Sequence, residues 1–323
     1  MKSLEGENEW RVPIAPLIGI HSSKVFGVDS LIVFRDSDLM ADLQFRISEY
    51  YGLDILLPWM DLTYEPEAFG VEIKWGNIPQ IKTHLKIKNE SDIDKLPEDI
   101  STKDRYPFYI ETLRKMKEKD KENRYFICGY ISGPLTIASS IMGGLEFSRA
   151  ILLKRNLIRK LLMKITNANI LAIKKLVKTG IDAIIILEPV AVFVSKKVFD
   201  ETSFNFLNEM SKVIHGYNKY TILHICGRAT HLLESIDRLD IDAYSFDDNV
   251  PLDLVHKSIK NASLMGNIST SVISTFKSNQ IEEIVKKLLR NSDRKRFILS
   301  TGCDIPHDTP EENIRALVKA CIS

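Results

Sequence analysis

Cysteine is scarce in this chain of 323 residues: Cys128, Cys226, Cys303 and Cys321 are its only four, and no two of them form a CxxC pair. That excludes a disulfide framework and a zinc knuckle, both of which need several cysteines on short loops. Charge of one sign is also missing, since 44 Lys plus Arg face 43 Asp plus Glu and leave a formal net charge of +1. No global field exists to gather phosphates or anionic lipid, so neither nucleic acid nor a membrane surface is an expected partner. No apolar run reaches the roughly 18 to 20 residues of a membrane span. The first ten residues carry Glu5, Glu7 and Glu9 where a secretory leader would be basic and then apolar. With 15 Gly, 12 Pro and no biased tract, fibrous and disordered classes fall away as well. These absences describe a soluble, cytoplasmic protein whose thiols stay reduced and free for metal or catalysis.

What is present is an alternation. Short apolar runs at 53–57, 125–131, 181–187, 220–225, 241–246, 262–265 and 296–300 are separated by long amphipathic stretches, the order expected of parallel strands joined by helices. Most of these runs are apolar at successive positions, as strands buried on both faces are. Helices are expected over 38–51, 105–120, 147–179, 199–215, 280–291 and 310–321, the longest from the near-helical spacing of Leu152, Leu153, Leu157, Leu161, Leu162, Ile165 and Ala168.

Seven strands, with an eighth around 12–20, point to an α/β fold of the (β/α)8 TIM-barrel type, distorted in places. The alternative, an open doubly wound sheet, is weakened because no Gly-rich dinucleotide fingerprint follows any strand. Residues 70–87 alternate polar and apolar around Gly76-Asn77 and are read as a β-hairpin laid over the barrel mouth. The chain is thus read as a single barrel domain over 1–323, with an N-terminal extension over about 1–37 and a hairpin insertion over about 69–88.

Chemistry in such a barrel sits at the C-terminal ends of the strands. One strand ends in Leu223-His224-Ile225-Cys226-Gly227-Arg228, where His224 and Cys226, two apart, point to the same side. The last strand ends in Ser300-Thr301-Gly302-Cys303-Asp304, a second thiol three βα units further on. One imidazole and two thiols form a three-ligand set of the kind that leaves catalytic zinc a further position for substrate. On spacing alone, two buried thiols and a hydrogen-bonded core histidine explain the same residues. Acids also stand at strand ends: Glu188, read as a base or a support for the metal, and Asp247-Asp248, which equally suit the start of the helix near Pro251.

Taken together, Leu223-His224-Ile225-Cys226-Gly227, Gly266-Asn267-Ile268-Ser269 and Ser300-Thr301-Gly302-Cys303-Asp304-Ile305-Pro306 resemble the uroporphyrinogen decarboxylase superfamily, and within it the zinc-dependent methylcobamide:coenzyme M methyltransferases. Asp61-Leu62-Thr63-Tyr64-Glu65-Pro66 and Ile131-Ser132-Gly133-Pro134-Leu135-Thr136 are similar to segments of the same enzymes, so the likeness runs from about residue 10 onward. The decarboxylases carry an Arg-rich N-terminal motif for substrate carboxylates, whereas this chain has Arg11-Val12-Pro13-Ile14-Ala15-Pro16-Leu17 with a single Arg.

The resemblance implies Zn2+ on His224, Cys226 and Cys303, and transfer of a methyl group from a methylcobamide, carried by a separate corrinoid-binding protein, to a small thiol, coenzyme M first. It implies Asp247 as a displaceable zinc ligand and Arg228 as the residue for the sulfonate of coenzyme M. Gly133 and Asn267 join Arg228 as cofactor-binding positions, at a mouth that must receive a flat macrocycle from outside. The alternatives it leaves are transfer from a donor to the corrinoid and a decarboxylase-like lyase.

Overall fold

A computed structural model describes residues 4–5 and 11–322. Its main sheet has seven parallel strands, β1 (Ile55–Leu56), β4 (Phe126–Ser132), β5 (Ala183–Leu187), β6 (Tyr220–Ile225), β7 (Ala243–Phe246), β8 (Ser263–Ile268) and β9 (Phe297–Thr301), paired in that order. Every residue of the Ala-Ile-Ile-Ile-Leu run in β5 is buried, because helices cover one face and the barrel interior the other.

The eighth strand expected over 12–20 is reduced to one residue. Ile14 bridges in parallel to Leu299 of β9, with Leu299 N–H donating to Pro13 O at 2.9 Å and Ala15 N–H to Leu299 O at 2.8 Å. On its other side Asp54 N–H donates to Ile14 O at 2.9 Å. The ring therefore closes through Ile14, and the N-terminal segment from that residue on is part of the barrel rather than an extension to it. Pro13 and Pro16, which lack an N–H, keep the pairing this short.

Two helices expected as continuous are interrupted. Lys154 leaves the helical region at φ −128°, ψ 48°, dividing Gly144–Leu153 from Arg155–Leu176. The stretch 199–215 is split at Ser203 into Lys196–Thr202 and Phe204–His215. The hairpin consists of β2 (Ile73–Lys74) and β3 (Gln80–Ile81), antiparallel with Ile73 opposite Ile81. Its connection runs from Trp75 to Pro79, longer than the tight turn that Gly76-Asn77 suggested. Among the described residues no helix is long and apolar enough to cross a membrane.

A buried acid ties the first loop to β4. Glu65, in the Tyr64–Ala68 helix, accepts the Ser132 N–H at 3.1 Å and the Ser132 hydroxyl at 2.9 Å. Burial pushes its carboxyl up to about 7, against the opposing effect of the Ser132 bonds. A carboxyl raised in the folded state keeps its proton where the unfolded chain, near 4.5, has lost its own. Stability contributed by this group is therefore complete below about pH 4.5 and declines up to about pH 7, by about 3 kcal/mol in all. Glu65→Gln should flatten that decline in denaturant titrations at about pH 5 and about pH 8; an unchanged slope would remove Glu65 as its source.

Candidate metal centre

His224 lies next to last in β6, and Cys226 immediately follows the strand. Gly227 then turns the chain at φ +83°, a left-handed conformation that glycine adopts without strain. Three strand steps around the barrel, β9 ends at Thr301, and Gly302 leads into Cys303. A side chain at 302 would stand 3.1 Å from Asp248 N and 3.2 Å from the Asp247 Cα, so the missing Cβ lets this loop approach the end of β7.

The result is convergence. One ligand atom each from His224, Cys226 and Cys303 lie within 4.8 Å of one another, the one such cluster among the described residues. His224 is buried, and its Nδ1 lies 2.9 Å from the Ser245 hydroxyl of the neighbouring strand, where the register sets Ser245 beside it. That contact fixes the ring and leaves Nε2 for the cluster, the usual way an outer hydrogen bond orients a ligating imidazole. The two thiols face each other within this cluster, and their interaction is uneven. It holds Cys226 below the ordinary thiol range, and it pushes Cys303 up to about 12 with burial adding to the effect. A divalent metal bound to both sulfurs would displace the proton that burial favours on Cys303.

The cluster opens on a cavity of 310 Å³. Met60, Leu62, Ile78, Leu187 and Pro189 supply apolar wall, and Asp61 and Asp304 supply acid. Ile78 comes from the β2–β3 connection, which therefore does overhang the mouth. Burial and the neighbouring Cys303 push the Asp304 carboxyl up to about 8. The acids at 61 and 304 were not singled out as site residues from sequence. Their signal was position: both follow the C-terminal end of a barrel strand.

The other expected site residues do not join the cluster. Asp247 is engaged elsewhere: its Oδ2 accepts the Gly227 N–H at 3.0 Å and its Oδ1 accepts from the Asn249 backbone at 2.9 Å and side chain at 2.7 Å. It braces the turn after Cys226. Asn267 Nδ2 donates to Asp247 O at 3.4 Å and Val250 O at 3.3 Å, holding that same loop. Arg228 is exposed and does not line the cavity.

Glu188, read from the sequence as a base or a support for the metal at the mouth, is placed by the structure within the barrel wall and off the cavity lining. Its carboxylate is fully buried and accepts from Leu135 N at 2.9 Å, Thr136 N at 3.0 Å, Thr136 Oγ1 at 2.7 Å and Ser203 Oγ at 2.9 Å. It caps the Pro134–Met142 helix from another strand. Burial raises its carboxyl while these four bonds oppose the rise. Gly133 has a matching reason: a Cβ there would stand 2.4 Å from Glu188 Oε2, so its place in the loop is set by packing.

Comparison with known proteins decides the family. The model of the uroporphyrinogen decarboxylase (URO-D) family matches residues 1–323. The chain belongs to this family. Among curated relatives, the methylcobamide:CoM methyltransferase of Methanosarcina mazei is 27% identical over 289 residues, covering 88% of this chain and 84% of that one. A second methylcobamide:CoM methyltransferase, from Methanosarcina barkeri, is 30% identical over 290 residues with the same coverage. Uroporphyrinogen decarboxylases match at 24% and 26% identity. A solved methyltransferase from Methanosarcina mazei superposes with a TM-score of 0.85 at 26% identity, over 98% of this chain and 95% of that one. The fold is therefore the α/β barrel of these enzymes.

Proposed function

We propose that this URO-D family member is a methyltransferase that moves a methyl group from a methyl-corrinoid, presented by a separate corrinoid protein, to a small thiol held at zinc on His224, Cys226 and Cys303. The single observation that carries the reading is the convergence of one imidazole and two thiols at the barrel mouth, beside a cavity of small-molecule size. The donor set suits the metal, since zinc takes nitrogen and sulfur ligands and a three-residue set is the pattern of its catalytic sites. Bound zinc would deprotonate the acceptor thiol and keep it nucleophilic at neutral pH.

The rest is done by this chain's own groups. Ser245 holds the His224 ring, Asp247 holds the Gly227 turn and with it Cys226, and Gly302 lets Cys303 close the set. The apolar wall around Leu187 and Pro189 limits water at the attacking sulfur. In the transfer, a sulfur lone pair forms the new S–C bond as the Co–C bond breaks. The bonding pair stays on cobalt, taking Co(III) to Co(I), and the thiol proton leaves to solvent.

Porphyrinogen decarboxylation, the reaction in the family's name, asks for cations to grip the substrate's carboxylates. Among the described residues, no Lys or Arg lines the cavity, which favours the methyltransferase. The test is direct: protein purified after zinc-replete expression should hold about one zinc per chain and convert methylcobalamin and a small thiol to thioether. Zinc-free protein that decarboxylates uroporphyrinogen would sink the proposal.

A further inference from the structure

Taking the site to be a thiol methylation site supplied by a separate corrinoid protein, as proposed above, we infer that this carrier docks beside the mouth on an apolar strip edged by lysines, formed by the Gly144–Leu153 helix and the 3-10 turn Pro189–Phe193 that follows β5. The cavity at the cluster holds 310 Å³, the lower end of ligand pockets. It takes the acceptor thiol and leaves the macrocycle outside, so whatever carries the macrocycle must rest on the rim. One part of that rim is made for contact. Leu145, Leu152 and Leu153 of the helix and Phe193 of the turn are 63–82% exposed, while the same helix buries Phe147, Ala150 and Ile151 against the barrel. It is apolar on both faces, which a helix that only covered the barrel would not need to be.

The strip is continuous with the site. Leu187 and Pro189 line the cavity, and Val190 and Phe193 of the same turn line a groove of 460 Å³ whose lining also includes Ile151 and Leu152 of the helix. A second groove, of 620 Å³, has Met142 and Leu153 in its wall together with Lys86, Lys88 and Lys154. Residues 84–88 are fastened there by Leu85 N–H donating to Ile141 O at 2.7 Å and by His84 Nδ1, 2.9 Å from Ser140 O. These segments all lie on connections that leave the C-terminal ends of β1, β4 and β5, the end of the barrel that carries the metal cluster. Charge selects the occupant. Lys86, Lys88 and Lys154 are exposed and make no ion pair among the described residues, whereas Glu146 in the same groove is held by Arg149 at 3.1 Å. Three uncompensated cations beside an apolar strip suit a carrier with an apolar centre and acidic surroundings. They disfavour a second copy of this chain, because a symmetric contact would bring two cationic rims together.

Two methyl donors separate docking from chemistry: free methylcobalamin, and a purified corrinoid protein of Methanosarcina mazei, reduced to cobalt(I) and charged to methyl-cobalt(III) with iodomethane. Each is offered to the zinc-loaded protein with coenzyme M as acceptor. The double variant Leu152→Ser/Phe193→Ser, which changes only side chains standing in solvent, should raise KM for the protein donor at least ~10-fold, equivalent to ~1.4 kcal/mol, with zinc content and turnover of methylcobalamin unchanged. Lys86→Glu/Lys88→Glu should do the same, and should weaken the fall in protein-donor rate that added salt causes in the unmodified protein by screening the rim. An unchanged KM for the protein donor in both double variants overturns the inference. So does an equal loss with both donors, which would place these residues at the chemistry and not at a docking face, and so does transfer by the unmodified protein from methylcobalamin but not from the corrinoid protein. Sedimentation showing the unmodified protein as a dimer and Leu152→Ser/Phe193→Ser as a monomer would give the face to a second copy and overturn it too. If the unmodified protein uses neither donor, the proposed function fails and the inference falls with it.

Discussion

Cys303→Ala is expected to abolish stoichiometric zinc and with it thiol methylation. Outer residues that only orient a ligand already change metal affinity roughly 10–100-fold when replaced, so losing one of three direct ligands should cost more than roughly a hundredfold. The fold should survive. Cys303 sits in the loop past β9, partly buried beside the cavity and outside the main core, so its removal opens no deep core cavity. Cys226→Ala should behave alike, because Cys226 follows His224 on β6 and both converge with Cys303 from β9 in the same three-residue cluster. Replacing the remaining cysteines provides the contrast. Cys128 lies buried within β4, and Cys321 donates to Val12 O at 3.4 Å in the last helix. Cys128→Ala and Cys321→Ala should lose some stability and keep the metal. Mass spectrometry of metal content, with circular dichroism to confirm folding, reads all four variants. Full zinc in both Cys226→Ala and Cys303→Ala would remove the ligand assignment.

How much of this was written in the sequence differs from element to element. Runs such as Ala183–Leu187 announce themselves because a strand covered on both faces needs apolar residues throughout, and the order of such runs gives the barrel. His224 and Cys226 could be paired on paper because strand side chains repeat every two residues. The partnership with Cys303 was harder, since it depends on closure of the ring and not on local spacing. Closure itself was only half visible: the apolar stretch 12–20 suggested a full strand, but pairing is confined to Ile14. The helix interruptions at Lys154 and Ser203 left no mark in the periodicity. Ser203 breaks its helix where its hydroxyl serves Glu188, a residue on another element. The acids misled most. At a strand end an acid can face the mouth, as Asp61 and Asp304 do, or turn into the wall, as Glu188 does, and sequence alone does not say which way it points.

That distinction can be measured at Glu188. If it works as a base at the mouth, Glu188→Gln should lose turnover at nearly constant stability. The structure gives the opposite expectation: Glu188→Ala should destabilise the protein by about 3 kcal/mol or more, because it strands buried donors that each cost about 1–3 kcal/mol when unpaired. Those donors are Leu135 N, Thr136 N, the Thr136 hydroxyl and the Ser203 hydroxyl, and two of them open the Pro134–Met142 helix. Glu188→Gln keeps the volume but turns an NH2 toward donors, so it should fall between the two. Gly133→Ala should destabilise as well, by roughly 1–3 kcal/mol, since its Cβ must displace the same carboxylate. The two sites are coupled by contact, so Gly133→Ala should cost less in the Glu188→Ala background, where the obstructing group is gone. Chemical denaturation of the four proteins in this cycle, with zinc content followed alongside, separates the roles. A zero coupling energy, or a Glu188→Gln protein of unchanged stability and lost turnover, would return Glu188 to the catalytic residues. Positive coupling with zinc retained would make it the buried cap that sets the wall of the site, acting on His224 only through the 2.9 Å bond from its own N–H to His224 O.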